Sequence, residues 1–208
     1  MKLIIFGSTG NIGRQLVLQS LQSGHSVTAF ARSKEKLDDI EHSNLTVYEG
    51  DVFDFSAVIK SIKGHDVVLC ALGAGRKGNL RSQGTYNIIK AMEKTGVRRL
   101  ICQTTLGAGD SKGNLNFFWK YIMFGWLLKE ALLDHELQEK FIKESNLDWT
   151  IVRPGAFVKG KATGKYKHGF APNDRSVKLK ISMPDVALFM LMQLSEKEYL
   201  KQTPALSY

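Results

Sequence analysis

The chain has 208 residues, of which 43% are hydrophobic and 24% charged, the composition of a globular protein with one sizeable core and no room for a second complete domain. The formal charge is +9, but the sequence has neither the alternating aromatic and arginine residues nor the zinc-ligand pattern of nucleic-acid-binding modules. The charge therefore indicates an anionic small ligand or a solvated surface rather than nucleic acid. No metal site is expected. No signal peptide pattern opens the chain, so the default expectation is a cytoplasmic protein.

Short apolar, β-branched runs alternate with helical stretches along the chain. The predicted strands are KLIIFG, SVTAFA, LTVYEG, DVVLCAL, RRLICQTT and WTIVRPG. The predicted helices are 12–23, 55–62, 85–94, an apolar stretch within 116–145, and 184–194, the last with Ser182 as its cap. This succession predicts an α/β protein with a doubly wound parallel sheet, the Rossmann fold. Cys70 and Cys102 lie in apolar strand runs, which predicts buried thiols and no disulfide.

Three glycines, Gly7, Gly10 and Gly13, follow the first predicted strand at intervals of three residues. A helix amino terminus presents unpaired N–H groups that can bind phosphate if no bulky side chain intervenes. Gly7 would allow the tight turn, Gly10 the close approach of a pyrophosphate, and Gly13 close packing of helix on strand. The placement predicts a dinucleotide site, with a glycine-rich turn of no consequence as the alternative. The same turn supplies three more predicted cofactor-binding residues: Thr9, Asn11 and Ile12.

The end of the second strand distinguishes between dinucleotides. An acidic residue there would bind the ribose 2′-OH, whereas this sequence has Arg32, with Ser33 and Lys34 or Lys36 nearby. A guanidinium is suited to a 2′-phosphate, so the prediction is NADP(H) rather than NAD(H). The alternative is that Arg32 is an exposed loop charge.

The ends of the third and fourth strands complete the predicted cofactor edge. Asp51 could accept a hydrogen bond from the adenine amino group or could cap the next helix. Small residues in CALGAGRKG would let the ribose and nicotinamide pass, or would form a plain turn. The cofactor-binding residues predicted along this edge are Asp51, Val52, Ala71, Leu72 and Gly73.

Several motifs together carry a family resemblance. GSTGNIG, ARS, GDV, ALG, GTYNIIKAMEKTGVRRLICQTT and LDWTIVRPG resemble the atypical short-chain dehydrogenase/reductases, in the branch of the NmrA-like proteins and biliverdin-IXβ/flavin reductase. The similarity spans residues 1 to about 155, and ISMPDVALFMLMQL resembles the late helix of the family. It implies one NAD(P)-binding Rossmann domain over 1–208, in which 156–208 contribute a small substrate-side lobe.

The usual catalytic pair of the family is missing. Tyr86 and Lys90 in YNIIK have its spacing, but they precede the fifth strand, so Tyr86 is predicted to be a packing residue. The resemblance places Ala131 and His135 where the tyrosine and lysine would stand and sets Thr105 in place of the strand-end serine. It thereby implies Thr105 and His135 as catalytic candidates.

Each of these candidates has a structural alternative. His135, able to change charge around pH 6 to 7, could contact the ribose or a substrate acid group, or could be a packing residue. Thr104 could orient the carboxamide or substrate carbonyl, although both threonines could simply end a strand. Pro154 would set the backbone beside the nicotinamide or form a structural turn.

The most aromatic stretch is FFWKYIMFGWLL, residues 117–128. It is too short to cross a membrane, so it predicts either a buried helix or a mobile wall on which a planar substrate stacks.

Two functions follow from these features. One is an NADPH-dependent reductase of a planar conjugated acceptor (flavin, quinone or tetrapyrrole). The other is a non-catalytic NADP-binding sensor with a protein partner, as the NmrA-like proteins are. Expected partners are a small-molecule acceptor and no membrane or nucleic acid, for a monomer or dimer.

Overall fold

The computed structural model describes residues 1–208. A sheet of eight strands has the order β3-β2-β1-β4-β5-β6-β10-β8, in which only β8 runs antiparallel to its neighbour. Its strands are β1 (Lys2–Phe6), β2 (Ser26–Ala31), β3 (Leu45–Glu49), β4 (Val67–Cys70), β5 (Arg99–Gln103), β6 (Asp148–Pro154), β8 (Lys167–His168) and β10 (Ala205–Ser207). Strands β7 (Ala156–Val158) and β9 (Lys180–Ser182) form a separate parallel pair. The doubly wound fold is therefore confirmed.

Helices cover both faces of the sheet. They are α1 (Asn11–Gln22), α2 (Phe55–Ile62), α3 (Leu80–Thr95), α4 (Lys129–Glu144) and α5 (Met183–Met192), with a π-helix at Phe118–Leu127. Side chains of a strand alternate between faces, so Leu3 and Ile5 pack into the core beneath α1 and α5, whereas Ile4 and Phe6 pack into the core beneath α2 and α3. None of these helices combines the length and the apolar character that spanning a membrane requires.

Local signals predicted several boundaries well. Helix α2 has the predicted bounds, and the Ser182 hydroxyl accepts a hydrogen bond from the backbone N–H of Asp185 at 3.2 Å, which confirms that cap. Cys70 and Cys102 are adjacent residues on β4 and β5; both thiols are buried and free, as predicted.

Helix α3 begins at Leu80, earlier than the predicted residue 85. The added first turn is followed by Gly84, where a side chain has no room: a Cβ at this position would stand 2.8 Å from Leu72 and 3.0 Å from Val52. The glycine thus lets α3 approach two residues of the sheet edge. Strand β10, which pairs with β6, was not predicted.

Candidate functional site

A cavity of about 480 Å³ lies at the carboxyl ends of the parallel strands. In open α/β sheets this is where ligands bind. Twelve residues predicted from the sequence line it: Gly7, Thr9, Gly10, Asn11, Ile12, Arg32, Asp51, Val52, Ala71, Leu72, Gly73 and His135. The folded chain thus brings together residues from five separate segments of the sequence.

The three glycines have different structural tasks. Gly7 has a φ of 77°, in the left-handed region, and a Cβ there would overlap the carbonyl of Ala71. Gly13 lies outside the cavity, and a Cβ there would overlap the Gly7 carbonyl, so it serves the packing of α1 on the turn. Gly10 faces the cavity, and a Cβ there would stand 3.2 Å from the Gly7 oxygen.

The start of α1 fits an anion. Its first helical hydrogen bond runs from the N–H of Arg14 to the carbonyl of Gly10 at 2.8 Å, which leaves the N–H groups of the first turn without helical partners. No side chain caps the helix, and its first turn contains no acidic residue. The donors and the positive end of the helix dipole are therefore free for a phosphate.

Arg32 is exposed at the end of β2, lines the cavity and forms no ion pair with a carboxylate of the chain. The nearby Ser33 hydroxyl donates to the carboxylate of Glu35, so it is occupied within the loop. Arg14 is likewise held by Asp39. Arg32 thus lines the cavity without a carboxylate partner, whereas the nearby Lys34 and Lys36 do not line it.

Asp51 does not cap α2. Its Oδ1 accepts from the backbone N–H of Phe53 at 2.9 Å, while the cap is Asp54, which accepts from Ser56 and Ala57. The capping interpretation of Asp51 is wrong because the helix begins at Phe55, four residues further on; Asp51 instead lines the cavity.

A second cavity, of about 400 Å³, adjoins the first. The two share Gly75, Arg81, Gln103, His135 and Phe157 as lining residues. The remaining wall is mainly apolar and includes Leu106, Leu115, Trp119, Phe124, Leu128, Ala131 and Leu179. Trp119 and Phe124 come from the π-helix, so this element forms an aromatic wall of the second cavity; that the wall is mobile and stacks a planar substrate stays a prediction. The interpretation as a buried helix is wrong, because its other face is exposed.

His135, on α4, lies buried where the two cavities meet. Its Nδ1 is 3.1 Å from Oε1 of Gln138, whose Nε2 in turn donates to Thr85 Oγ1 at 2.9 Å. This arrangement places the ring hydrogen on Nδ1 and leaves Nε2 as an acceptor. Burial, together with the positive charge of Arg81, lowers the pKa of His135 to about 4. The expectation that it changes charge around pH 6 to 7 is therefore wrong.

Arg81 was not singled out in the sequence. Its Nη1 donates to the Lys77 carbonyl at 2.9 Å and lies 3.4 Å from the carboxylate of Asp134, and its Nη2 donates to the Gly75 carbonyl at 2.8 Å. Burial lowers the pKa of Arg81, opposed by the charge of Asp134. Because α3 begins at Leu80, Arg81 lies in its first turn, and its guanidinium reaches the junction of the cavities. A correct prediction of where α3 begins would have indicated this residue.

The two threonines at the end of β5 differ in environment. Thr104 is buried and lines the second cavity; its hydroxyl donates to Glu139 Oε1 at 2.9 Å, so its hydrogen is occupied and the hydroxyl could act on a ligand only as an acceptor. The same carboxylate accepts from Arg153 Nε at 2.8 Å and Nη2 at 2.6 Å. Burial alone would raise the pKa of Glu139, but the hydrogen bonds and charge of Arg153 lower it overall. Thr105 lines the second cavity, and its hydroxyl donates to the Leu106 carbonyl at 3.3 Å.

Two further predictions concern residues outside the cavities. Pro154 is buried in β6 and lines neither cavity, although the following Gly155 lines the second. Tyr86 also lines neither; its ring packs against Phe141 with centroids 5.2 Å apart. The packing role of Tyr86 fits this position.

Comparisons with known proteins agree with the fold. The yeast protein YMR090W is 29% identical over 93% of this chain and 87% of its own length. Among solved structures, ChuY of Escherichia coli O157:H7, described as an anaerobilin reductase, has a TM-score of 0.84 and 24% identity, covering 100% of this chain and 97% of its own. A short-chain dehydrogenase/reductase of Veillonella parvula in complex with NADP has a TM-score of 0.82 and 18% identity, with coverage of 100% and 94%.

The sequence profile of one family extends over most of the chain. It matches residues 7–197, from the first glycine of the turn to beyond α5. With the doubly wound sheet and the cavity at its carboxyl edge, this confirms the resemblance to atypical short-chain dehydrogenase/reductases. The chain belongs to the NAD(P)H-binding family.

Proposed function

We propose that this protein is an NADPH-dependent reductase of a planar conjugated acceptor of the flavin, quinone or tetrapyrrole type. The observation that carries the proposal is the direct junction of the two cavities at Arg81, Gln103 and His135. One cavity has the anion-binding turn of a dinucleotide site, and the other has an aromatic and aliphatic wall. A nicotinamide reaching the junction would face whatever occupies the second cavity.

The choice of NADPH rests on Arg32. Its guanidinium is exposed, lines the cavity and has no carboxylate partner, so a 2′-phosphate would gain charge-assisted hydrogen bonds there. The first turn of α1 would hold the pyrophosphate through backbone N–H groups, with Gly10 leaving room for it. The NADP complex of the Veillonella neighbour supports the same choice.

The class of acceptor follows from the chemistry of the second cavity. Its wall contains no tyrosine, lysine, cysteine, aspartate or glutamate, and neutral His135 presents an acceptor rather than a proton. Thr105 is a weak acid whose hydroxyl is already directed at a carbonyl. A simple ketone needs a positioned proton donor, which typically contributes a hundred- to ten-thousandfold. A conjugated acceptor spreads the added charge over its ring system and can take its proton from water.

Bound NADPH would supply the hydride. The buried cation of Arg81 would stabilise negative charge developing on the acceptor, because electrostatic interactions are strong in a water-poor site. Trp119 and Phe124 would stack against the planar ring. The fold shared with ChuY, described as an anaerobilin reductase, is compatible with a tetrapyrrole acceptor.

The test is NADPH oxidation in the presence of FMN, biliverdin, a quinone and a panel of aliphatic and aryl ketones, with a control lacking acceptor. We expect turnover with at least one conjugated acceptor and almost none with ketones. Ala131→Phe, which fills the second cavity from α4, should abolish turnover while NADPH still binds. Efficient ketone reduction would contradict the mechanism. NADPH binding without turnover of any acceptor would favour the sensor function instead.

A further inference from the structure

The π-helix has a second apolar face, which is turned to solvent. The large side chains of this face begin at Phe117, just before the π-helix, and their fractional exposures range from 44% for Ile122 to 79% for Trp126. We call this set the aromatic face; it consists of Phe117, Phe118, Tyr121, Ile122 and Trp126. The rings of Phe117 and Tyr121 are in contact, with centroids 4.9 Å apart, so at least part of the face is continuous. A cluster of exposed large apolar side chains marks an interaction site.

Unpaired lysines accompany the aromatic face. Residues 111–129 contain three lysines and no acidic residue; Lys112 pairs with Glu136 at 2.7 Å, whereas Lys120 lies between the aromatic residues with its Nζ 5.5 Å from the centre of the Tyr121 ring. Residues 157–180 contain seven basic residues and one acidic residue. This second segment therefore carries most of the net charge of the chain.

The two basic segments belong to one region of the molecule. Asn114 Nδ2 donates to the carbonyls of Ala171 at 2.8 Å and Asp174 at 2.9 Å. Phe170 and Trp119 pack against the same buried cluster beneath the π-helix. Residues 170–174 of the second segment thus lie beside the residues that lead into the π-helix, whereas Thr163 and Gly164 of the same segment bond to Asp185 on α5.

We propose that the aromatic face, with Lys120 among its residues, docks on anionic phospholipid bilayers, with the π-helix lying in the plane of the interface. Tryptophan and tyrosine rings are suited to the boundary between headgroups and acyl chains, and lysines extend their ammonium groups to lipid phosphates. The segment lies on the membrane and does not span it. The expectation of no membrane partner rested on its length, and the exposure of its side chains is the observation that changes the conclusion.

Charge argues against a second copy of the chain as the occupant. A two-fold contact would bring the same surface of both subunits together, so Lys120 of each subunit would face a like-charged region of the other. An anionic bilayer instead offers apolar depth and negative charge together. The inference does not depend on the proposed reductase activity.

The experiment is co-sedimentation with vesicles of phosphatidylcholine alone and of phosphatidylcholine with phosphatidylglycerol in equal amounts. We expect binding to the anionic vesicles to be at least about tenfold stronger and to weaken with salt. The double variant Phe117→Ser/Trp126→Ser should reduce that binding at least about tenfold, because both side chains are exposed and their loss leaves the core intact. Phe53→Ser, an aromatic residue 50% exposed between β3 and α2, is the matched control and should bind as the native chain does.

Tryptophan fluorescence supplies an independent measurement. Of the three tryptophans, Trp126 is exposed, Trp119 is half-buried in the wall of the second cavity and Trp149 is buried. Insertion should therefore shift the emission of the native protein to the blue, and Trp126→Phe should lose most of the shift while it retains binding. Absence of binding to anionic vesicles, equal binding to both vesicle types, or binding unchanged in the double variant would overturn the proposal. So would a dimer in analytical ultracentrifugation that the double variant dissociates.

Discussion

His135 and Gln138 lie one turn apart on α4, with Nδ1 of the histidine 3.1 Å from Oε1 of the glutamine. The glutamine amide donates onward to Thr85 on α3, so its orientation is determined from the far side. This relationship places the ring hydrogen on Nδ1 and leaves Nε2 free to accept, while burial and the charge of Arg81 lower the pKa of the imidazole and keep it neutral. A substrate or ribose hydroxyl could donate to it, but it supplies no proton at neutral pH.

The first prediction concerns acid stability. Burial and the charge of Arg81 lower the pKa of His135 from 6.5 to about 4, so the unfolded chain binds the proton more readily than the folded one. Stability is therefore present above pH 6.5 and is lost as the pH falls toward 4, by about 2 kcal/mol between pH 7 and pH 5. Urea unfolding at these two pH values, in the native chain and in His135→Gln, measures it. The pH-dependent loss should be smaller by that amount in the variant, and an equal loss in both proteins would contradict the assignment.

The second prediction concerns cofactor choice. NADPH should bind at least about tenfold more tightly than NADH, because a charge-assisted hydrogen bond contributes about 1.5–3 kcal/mol. Arg32→Ala should remove most of this preference and leave NADH affinity nearly unchanged. Fluorescence titration of both cofactors is the measurement, with Arg98→Ala, an exposed arginine at the start of β5, as the control. Equal affinities in the native protein would exclude a 2′-phosphate site at Arg32.

The third prediction separates the tasks of two glycines. Gly10→Val should fold but lose dinucleotide binding, because its side chain enters the cavity from the start of α1. Gly13→Val should instead lower the melting temperature, since even its Cβ overlaps the Gly7 carbonyl. Circular dichroism melts and cofactor titration of both variants distinguish the two effects. If Gly10→Val bound NADPH normally, the glycine would serve only the turn.

The fourth prediction concerns the buried charges beneath β5 and β6. Glu139→Gln removes one of the two carboxylates that face the Arg153 guanidinium; Asp110 remains, so the cost should lie toward the lower end of the roughly 3–5 kcal/mol typical of breaking a buried pair. Asp148→Asn, which weakens the exposed pair with Arg98, should cost less than about 1 kcal/mol. Denaturant unfolding of the two variants gives the comparison. Similar losses would mean that the buried network contributes little.

The fifth prediction concerns Tyr86. If the protein turns over a conjugated acceptor, Tyr86→Phe should change kcat by less than about threefold, far below the loss expected for removal of a general acid. The reason is its position on α3, where it packs against Phe141 outside both cavities. Steady-state rates of native and variant proteins decide it. A large loss of kcat in the variant would mean that the Tyr86 hydroxyl acts as a proton donor.

The sequence alone determined those features whose physical cause is local. The spacing of Gly7, Gly10 and Gly13 after an apolar strand indicated the turn, because helix starts and close approaches need particular residues at particular positions. Helix α2 and the Ser182 cap were predicted from hydrophobic periodicity and a short polar signal, both of which act within one or two turns.

Only the tertiary structure decided the features that depend on distant neighbours. The low pKa of His135 arises from burial beside Arg81, which lies on another helix, and the hydroxyl of Thr104 is occupied by Glu139 from α4. Arg81 reaches the cavity junction because Gly84 lets α3 pack closely on the sheet edge. The sequence shows only that residues 117–128 are apolar. The packing of the π-helix on the core decides which of them line the cavity and which are exposed. Burial depends on how the elements assemble, so the residues of one segment do not determine it.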